Sequence, residues 1–345
     1  MEYNNSMSGK ERVRRTLSFN NPDRAPRNLW ALPGISMFKQ NELDAVLAKY
    51  PGDFTGPGVK YGKGKLESGT IGNLGDHIDE WGCTFTAAEP GVVGEVKQPL
   101  LSDFSKVNSL KQPIELLEEA DFSQVNKTYA NTDKYVLAGT TVRPFERMQF
   151  LRGTENLFMD MAYGTKEFET LKNIVHDFFI KEIKMWTKTD VDGISFMDDW
   201  GTQNSLLISP KMWRSIFKPL YTEYCQLIHE SGKDVFSHSD GHITDIYPDL
   251  IEIGVNAINS QLFCMDIEKL SNRFKGKITF WGEIDRQHIL PFGSPEEVKQ
   301  AVLKVRKALD DGTGGVIAQC EWGLDVTKEN IETVFDTWQL KTLTD

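Results

Sequence analysis

The second two-thirds of the chain alternates short apolar runs with longer segments that carry apolar residues at helical spacing. The short runs are rich in β-branched or aromatic residues and are bounded by turn formers, which is typical of buried strands. They lie at residues 135–139, 193–197, 234–238, 255–259, 277–281 and 315–319. Strands and helices in regular succession predict a parallel sheet with right-handed crossover connections.

The segments between the strands predict amphipathic helices, one of them over residues 165–187. Two others begin with a Ser-Pro pair, at Ser209 and Ser294, in which serine caps the helix and proline takes its first position. These pairs predict helices over residues 209–230 and 296–309.

The first third of the chain is less regular but leaves room for two more strands, at residues 24–32 and 53–55. Residues 79–88 and 91–96 alternate apolar and polar positions, which predicts an inserted β-hairpin. No glycine-rich phosphate-binding motif follows an early strand, which argues against an open doubly wound sheet. We therefore predict a single domain over residues 1–345, an α/β (β/α)8 TIM barrel with an N-terminal extension and a β-hairpin insertion.

The composition narrows the class of protein. Of the 345 residues, 39% are hydrophobic and 11% are aromatic, which favours a large core over a disordered chain. A formal net charge of −11 argues against sequence-independent binding to nucleic acid or to an anionic membrane. There is no apolar run of ~18 residues and no signal-peptide pattern. The 4 cysteines are widely spaced, which indicates reduced thiols and a cytoplasmic location.

Polar residues at strand ends are the candidates for chemistry, because catalytic residues follow the strands in this fold. His238 and Asp240 follow one strand and could bind a metal, although Asp240 could instead cap the next helix. Cys320 ends the last strand and is either a thiolate ligand or a small buried hydrophobe. Glu283 follows another strand and could complete a metal shell or pair with Arg286.

A second set of candidates follows the strand predicted at residues 193–197. Asp198 and Asp199 are adjacent carboxylates that could act in catalysis, while one of them could instead cap a helix. Trp200 and Gln203 could form a wall of the substrate site. The predicted substrate-binding residues also include Arg143, which could hold a substrate carboxylate or serve as a structural ion-pair partner.

Several motifs, taken in order, resemble the uroporphyrinogen decarboxylase superfamily, and the resemblance covers nearly the whole chain. The motifs are ERV and PDR near the start, LRGTEN at residues 151–156, MDDWGTQ at 197–203, PLY at 219–221, HSDG at 238–241 and FGSPEEV at 292–298. Membership of this superfamily implies a (β/α)8 barrel, in agreement with the strand and helix pattern.

The superfamily has two large branches. Its true decarboxylases carry the signature Arg-Gln-Ala-Gly-Arg after an early tryptophan, to bind the carboxylates of a tetrapyrrole. Here the stretch after Trp30 has no arginine, which argues against decarboxylation of uroporphyrinogen. The other branch contains zinc-dependent methyltransferases that act with a corrinoid protein, with a His-x-Cys motif and a last-strand cysteine as ligands. His238 and Cys320 resemble that pattern, but Asp240 stands where the first cysteine would be.

The resemblance therefore implies a methyltransferase of the O-demethylation type. In this hypothesis Zn²⁺ is bound by His238 and Cys320, with Asp240 or Glu283 as a third ligand, and polarises the oxygen of a methoxylated small molecule. A Co(I) corrinoid on a separate protein takes up the methyl group. A metal-independent decarboxylase or lyase that uses the paired aspartates is the alternative, and a non-catalytic binding barrel is a third possibility. The methyl donor, the direction of transfer and the formation of a homodimer are left open.

Overall fold

The computed structural model describes residues 7–340. Eight parallel strands alternate with helices and form a nearly closed barrel, so the predicted (β/α)8 fold is confirmed. The strands are β1 Arg27–Ala31, β2 Phe54–Thr55, β3 Gly75–Ile78, β4 Thr84–Ala87, β5 Glu95–Val96, β6 Tyr135–Gly139, β7 Gly193–Met197, β8 Asp234–Ser239, β9 Ala257–Ser260, β10 Thr279–Trp281 and β11 Val316–Trp322. The α-helices are α1 Gly9–Leu17, α2 Pro33–Phe38, α3 Gln40–Lys49, α4 Glu115–Glu118, α5 Val125–Ala130, α6 Pro144–Arg152, α7 Thr154–Tyr163, α8 Lys166–Trp186, α9 Pro210–Ile216, α10 Lys218–Glu230, α11 Tyr247–Glu252, α12 Ile267–Phe274, α13 Ile289–Phe292, α14 Pro295–Leu309 and α15 Lys328–Trp338.

The barrel closes between its first two strands. Neighbouring strands follow the order β1, β11, β10, β9, β8, β7, β6, β2. The two ends of this order meet where the N–H of Asp53, just before β2, donates a 3.0 Å hydrogen bond to the carbonyl oxygen of Arg27 in β1. Each strand predicted for the barrel is present; β6 and β7 have the predicted bounds, and the ends of the others are shifted by a few residues.

The predicted hairpin insertion is present, but it is a three-stranded antiparallel sheet of β3, β4 and β5. The sequence predicted a strand from Asp79 onward, whereas the structure has a turn at that point. The Asp79 carboxylate accepts hydrogen bonds from the N–H groups of Trp81 (3.0 Å) and Cys83 (2.8 Å), and Gly82 has φ +88°. These local bonds close a turn between β3 and β4, and a strand cannot pass through it.

The helix predicted over residues 209–230 is divided into α9 and α10. Pro219 lies in the first turn of α10, where an N–H group would have no acceptor within the helix. Because proline has no N–H, it cannot donate the backbone hydrogen bond that would join α9 to α10 as one helix. The helix predicted over residues 296–309 is confirmed as α14, whose cap Ser294 accepts a hydrogen bond from the N–H of Glu297. None of the helices between residues 7 and 340 is long and apolar enough to span a bilayer.

The barrel strands separate two apolar layers. One cluster fills the barrel interior and includes Phe236, Trp281 and Ile317, and a larger one includes residues from both the strands and the surrounding helices. Consecutive side chains of a strand point to opposite faces, so residues two or four positions after an interior residue also face the barrel axis. His238 follows Phe236 in this way, and Glu321 follows Ile317. This alternation brings polar side chains together at the C-terminal end of the barrel.

Candidate active site

The imidazole of His238, near the end of β8, is held in one orientation by Asn259 in β9. The Nδ2 of Asn259 donates to the carbonyl oxygen of Trp281, which leaves its Oδ1 to accept a 2.7 Å hydrogen bond from His238 Nδ1. The Trp30 ring also contacts the imidazole, with 5.4 Å between the ring centroids. We therefore assign the hydrogen of the neutral imidazole to Nδ1, so that Nε2 presents a lone pair, as in metal-ligating histidines.

Two carboxylates lie on the Nε2 side of this ring. Oδ1 of Asp240 is 3.4 Å from Nε2 of His238, and Oδ1 of Asp199 is 3.7 Å from it. Among residues 7–340, these three side chains form the group that could hold a metal ion, with ligand atoms within 4.8 Å of one another. Burial, and then repulsion from Asp240, raises the pKa of Asp199. A bound cation would relieve that repulsion. We call Asp199, His238 and Asp240 the ligand group.

The loops after β7 and β8, which carry the two aspartates of the ligand group, contact each other through glycines. A Cβ on Gly241 would lie 2.3 Å from the carbonyl carbon of Gly201, and a Cβ on Gly201 would lie 2.4 Å from the amide nitrogen of His242. Gly241 also has φ +79°, a conformation that favours glycine. The two loops can approach this closely only because neither glycine has a side chain.

Replacing Gly241 with alanine should force the two loops apart and weaken metal binding by about 10- to 100-fold, as changes beside metal ligands typically do. The affinity can be measured by competition with a chromogenic chelator. Gly232→Ala is the matched control, because Gly232 has a similar φ of +75° but open space where the Cβ would lie. Equal affinities in the two variants would show that the contact between the loops does not determine the geometry of the ligand group.

Arg286, which follows β10, links the ligand group to two further carboxylates. It contacts the carboxylate of Asp240, its Nε lies 3.1 Å from Oε1 of Glu283, and its Nη1 lies 2.8 Å from Oε1 of Glu321. Burial raises the pKa of Glu283, and the charge of Arg286 acts in the opposite direction. Glu283, which was predicted as a possible metal ligand, is therefore paired with Arg286 and lies outside the ligand group.

Two of the predicted site residues lie in the core. The buried carboxylate of Asp198 accepts hydrogen bonds from the N–H groups of Phe145 (2.7 Å) and Glu146 (2.8 Å), in the first turn of α6, and from the hydroxyl of Tyr221 (2.6 Å). The ring of Trp200 is buried and stacks on Phe145, with 4.4 Å between the ring centroids. Asp198 is thus the aspartate of the adjacent pair that caps a helix, and Trp200 packs in the core and does not form a substrate wall.

Cys320, predicted as a zinc ligand, points away from the ligand group. Its side chain is fully buried in the cluster that includes the helices, whereas the adjacent Glu321 reaches Arg286. Ile317 faces the barrel interior, so Gln319 and Glu321 share that face and Cys320 lies on the other. Burial also raises the pKa of the Cys320 thiol. The geometry therefore corrects the predicted Cys320 ligand.

Glu146 is a residue of this site that the sequence did not single out. Burial and the charge of Asp199 raise the pKa of Glu146 to about 7, while Arg143 acts in the opposite direction. The guanidinium of Arg143 lies 5.6 Å from the centroid of the Phe150 ring, and its Nε has no hydrogen-bond partner among residues 7–340. The proline that follows Arg143 predicts a helix start directly after a barrel strand, and this signal could have identified Glu146. The predicted Gln203 lines a small cavity beside the site.

The sequence and the fold were compared with those of known proteins. The uroporphyrinogen decarboxylase (URO-D) family model matches residues 78–339, which is more than half of the chain. The chain belongs to this family. A methyltransferase from Methanosarcina mazei has the same fold, with a TM-score of 0.67 at 15% identity over 96% of this chain and 98% of that one. An endo-β-1,4-xylanase from Gloeophyllum trabeum is less similar, with a TM-score of 0.46 at 10% identity over 94% of this chain and 99% of that one. None of the curated protein sequences compared with the chain matches it.

In this member of the uroporphyrinogen decarboxylase family, carboxylates outnumber guanidinium groups around the ligand group. The carboxylates are those of Glu146, Asp199, Asp240, Glu283 and Glu321. The guanidinium groups are those of Arg143 and Arg286, and Arg286 is already paired. The segment directly after β1 forms α2 and contributes no arginine. A tetrapyrrole with many carboxylates would meet groups of its own charge here, whereas a metal cation would be stabilised.

Proposed function

We propose that this chain is a zinc-dependent methyltransferase that moves a methyl group between a small methoxylated molecule and a corrinoid carried by a separate protein. The ligand group supports this most directly, because Nε2 of His238 lies 3.4 Å from a carboxylate oxygen of Asp240 and 3.7 Å from one of Asp199. One imidazole and two carboxylates suit zinc in catalytic sites, which use three protein ligands and keep a further position open. When bound, the ion would act as a Lewis acid toward the substrate oxygen.

The residues around the ligand group would hold it in place for this reaction. Asn259 accepts a hydrogen bond from Nδ1 of His238 and so orients Nε2 toward the two aspartates, and Arg286 restrains the carboxylate of Asp240. In the proposed transfer, the C–O bond would break with its electron pair remaining on the oxygen, which would take up a proton, and the reduced corrinoid of the partner protein would supply the electron pair for the new bond to the methyl group. The corrinoid protein would have to approach the C-terminal end of the barrel, where the ligand group lies.

Two observations bear on the choice of reaction within the family. The excess of carboxylates around the ligand group argues against decarboxylation of an anionic tetrapyrrole. A methyltransferase from Methanosarcina mazei shares the barrel, so this fold accommodates methyl transfer. Both observations favour methyl transfer over the metal-independent decarboxylase that the family name suggests.

The purified protein is expected to contain about one zinc ion per chain, because the ligand group supplies three ligands. It should transfer the methyl group of a methoxylated compound to reduced cobalamin, which is followed by the change in the visible spectrum from Co(I) to methyl-Co(III). Asp199→Asn should lower the zinc content, whereas Asp266→Asn, at the exposed start of α12, should not. A protein that binds no metal under zinc-replete conditions, or that releases CO2 from uroporphyrinogen, would contradict the proposal.

A further inference from the structure

The guanidinium of Arg286 is held beside the ligand group by carboxylates on three sides. Its Nη2 donates a hydrogen bond to Oδ2 of Asp240. Its Nη1 donates a 2.8 Å hydrogen bond to Oε1 of Glu321, and its Nε lies 3.1 Å from Oε1 of Glu283. The planar guanidinium can face several carboxylates at once in a fixed arrangement. It therefore cannot turn away from Asp240 without also leaving the two glutamates, of which Glu283 is buried.

The two carboxylate oxygens of Asp240 consequently have different surroundings. Oδ2 is occupied by Arg286. Oδ1 is buried, has no hydrogen-bond partner among residues 7–340, and lies 3.4 Å from Nε2 of His238. Asp199 is also fixed, because its Oδ1 accepts a 2.9 Å hydrogen bond from the N–H of Asp240. As long as the pair with Arg286 is intact, Asp240 can offer a single oxygen to an ion bound at His238.

We propose that Arg286 determines which metal ion the ligand group binds. By pairing with Oδ2 it would limit Asp240 to one ligand oxygen, and it would thereby favour zinc over ions that need more oxygen ligands. This role rests on the proposed function, because it places the zinc ion of that function on the ligand group. It adds to that function a specificity-determining residue that is not itself a ligand.

The number of ligand atoms distinguishes zinc from manganese and calcium. Zinc in catalytic sites takes three protein ligands and keeps a fourth position open. Manganese prefers six ligands, mainly oxygens, and calcium takes six to eight and often gains two from one carboxylate. One imidazole nitrogen and one oxygen from each aspartate complete the protein part of a zinc site. Manganese or calcium would need a second oxygen from Asp240 or additional water.

The positive charge of Arg286 would not produce this preference by itself. A cation beside the ligand group opposes the binding of every divalent ion, and to a similar extent because the ions carry the same charge. The pair with Oδ2 instead affects each ion according to the number of oxygens that the ion takes from Asp240. The ratio of the zinc affinity to the manganese affinity therefore separates the effect of pairing from the effect of charge.

Replacing Arg286 with methionine should lower this ratio by about 10-fold, which is the lower end of the effect that residues beside metal ligands have on affinity. The loss of the charge acts on both ions and cancels in the ratio. Each affinity is measured on metal-free protein by competition with a chelator of known affinity, without substrate or corrinoid, and circular dichroism checks that the variant is folded.

Arg214→Met is the matched control. Arg214 also pairs with an aspartate, because its Nε lies 3.0 and 2.9 Å from the two carboxylate oxygens of Asp249. This pair joins α9 to α11. The variant thus removes a guanidinium and an arginine–aspartate pair that do not belong to the ligand group, and the ratio of the two affinities should remain unchanged.

A second measurement needs no variant. Co²⁺ can replace Zn²⁺ in proteins, and a four-coordinate Co²⁺ ion absorbs visible light much more strongly than a six-coordinate one. The cobalt-loaded protein should show the strong absorption of a four-coordinate ion. In Arg286→Met the absorption should weaken, because the second oxygen of Asp240 becomes available and the coordination number rises.

The proposed role of Arg286 is overturned if Arg286→Met keeps the original ratio of affinities, or if Arg214→Met lowers it equally. It is also overturned if the cobalt-loaded original protein shows only the weak absorption of a six-coordinate ion, and this result decides the matter should Arg286→Met fail to fold. If the ratio falls as expected but no methyl group is transferred, the role of Arg286 holds and the proposed function fails. If methyl transfer occurs and the ratio does not change, only the role of Arg286 fails. A protein that binds no zinc would contradict both.

Discussion

Replacing His238 with alanine is expected to remove bound zinc and to lower the rate of methyl transfer by at least about 1,000-fold. His238 supplies the nitrogen of the ligand group, and without it only the carboxylates of Asp199 and Asp240 would remain as ligands. A Lewis acid contributes several kcal/mol of transition-state stabilisation, and about 4 kcal/mol corresponds to three powers of ten in rate. Zinc content by mass spectrometry and single-turnover kinetics with reduced cobalamin measure the two effects separately.

Two further variants show whether this loss is specific. His229→Ala is the matched control, because the His229 side chain is exposed and forms a 2.7 Å hydrogen bond with the carbonyl oxygen of Gly254. The effect of Asn259→Ala should lie between those of His238→Ala and His229→Ala, with about 10- to 100-fold weaker zinc binding. The His238 ring would lose the hydrogen bond that orients it, while all three ligands would remain. A His238→Ala protein that retains its zinc and its rate would exclude the ligand group as the metal site.

The barrel could be predicted from the sequence because each of its main strands is a run of apolar residues between turn formers. A parallel strand is buried on both faces, and its residues are therefore apolar almost without interruption. The same property explains the error at Cys320. Where both faces of a strand are apolar, the sequence does not show which residues point to the barrel axis and which to the helices. Only the packed structure shows that Ile317 faces inward and Cys320 outward.

For the adjacent residues Asp198 and Asp199, too, the sequence does not show which way each side chain points. The sequence placed both at a strand end and predicted that one of them could cap a helix, but it did not show which one. Successive side chains point in opposite directions, so Asp198 meets the start of α6 while Asp199 meets His238. The roles of Asn259 and Gly241 arise from contacts between segments distant in sequence, and no local pattern indicates them.

Replacing Asp198 with alanine is expected to lower the free energy of unfolding by about 3–5 kcal/mol, because it leaves three donors without an acceptor. The N–H groups of Phe145 and Glu146 and the hydroxyl of Tyr221 all donate to its carboxylate. Each buried donor left without an acceptor costs about 1–3 kcal/mol, and the three costs are not additive because the three donors surround the same carboxylate. Burial raises the pKa of Asp198, while these same donors act in the opposite direction. Urea unfolding followed by circular dichroism measures the change.

Asp266→Ala is the matched control, because Asp266 also caps a helix, α12, but is exposed. Its carboxylate accepts a 3.0 Å hydrogen bond from the N–H of Lys269 and pairs with the ammonium group of that lysine at 3.1 Å. Loss of such a cap typically costs about 1 kcal/mol. Tyr221→Phe removes one donor and keeps the acceptor, so it should cost about 1 kcal/mol or less. A loss for Asp198→Ala no larger than that for Asp266→Ala would show that α6 does not depend on this carboxylate. Asp198 would then need another explanation for its burial next to the ligand group, and the catalytic role predicted from the sequence would again be the first to test.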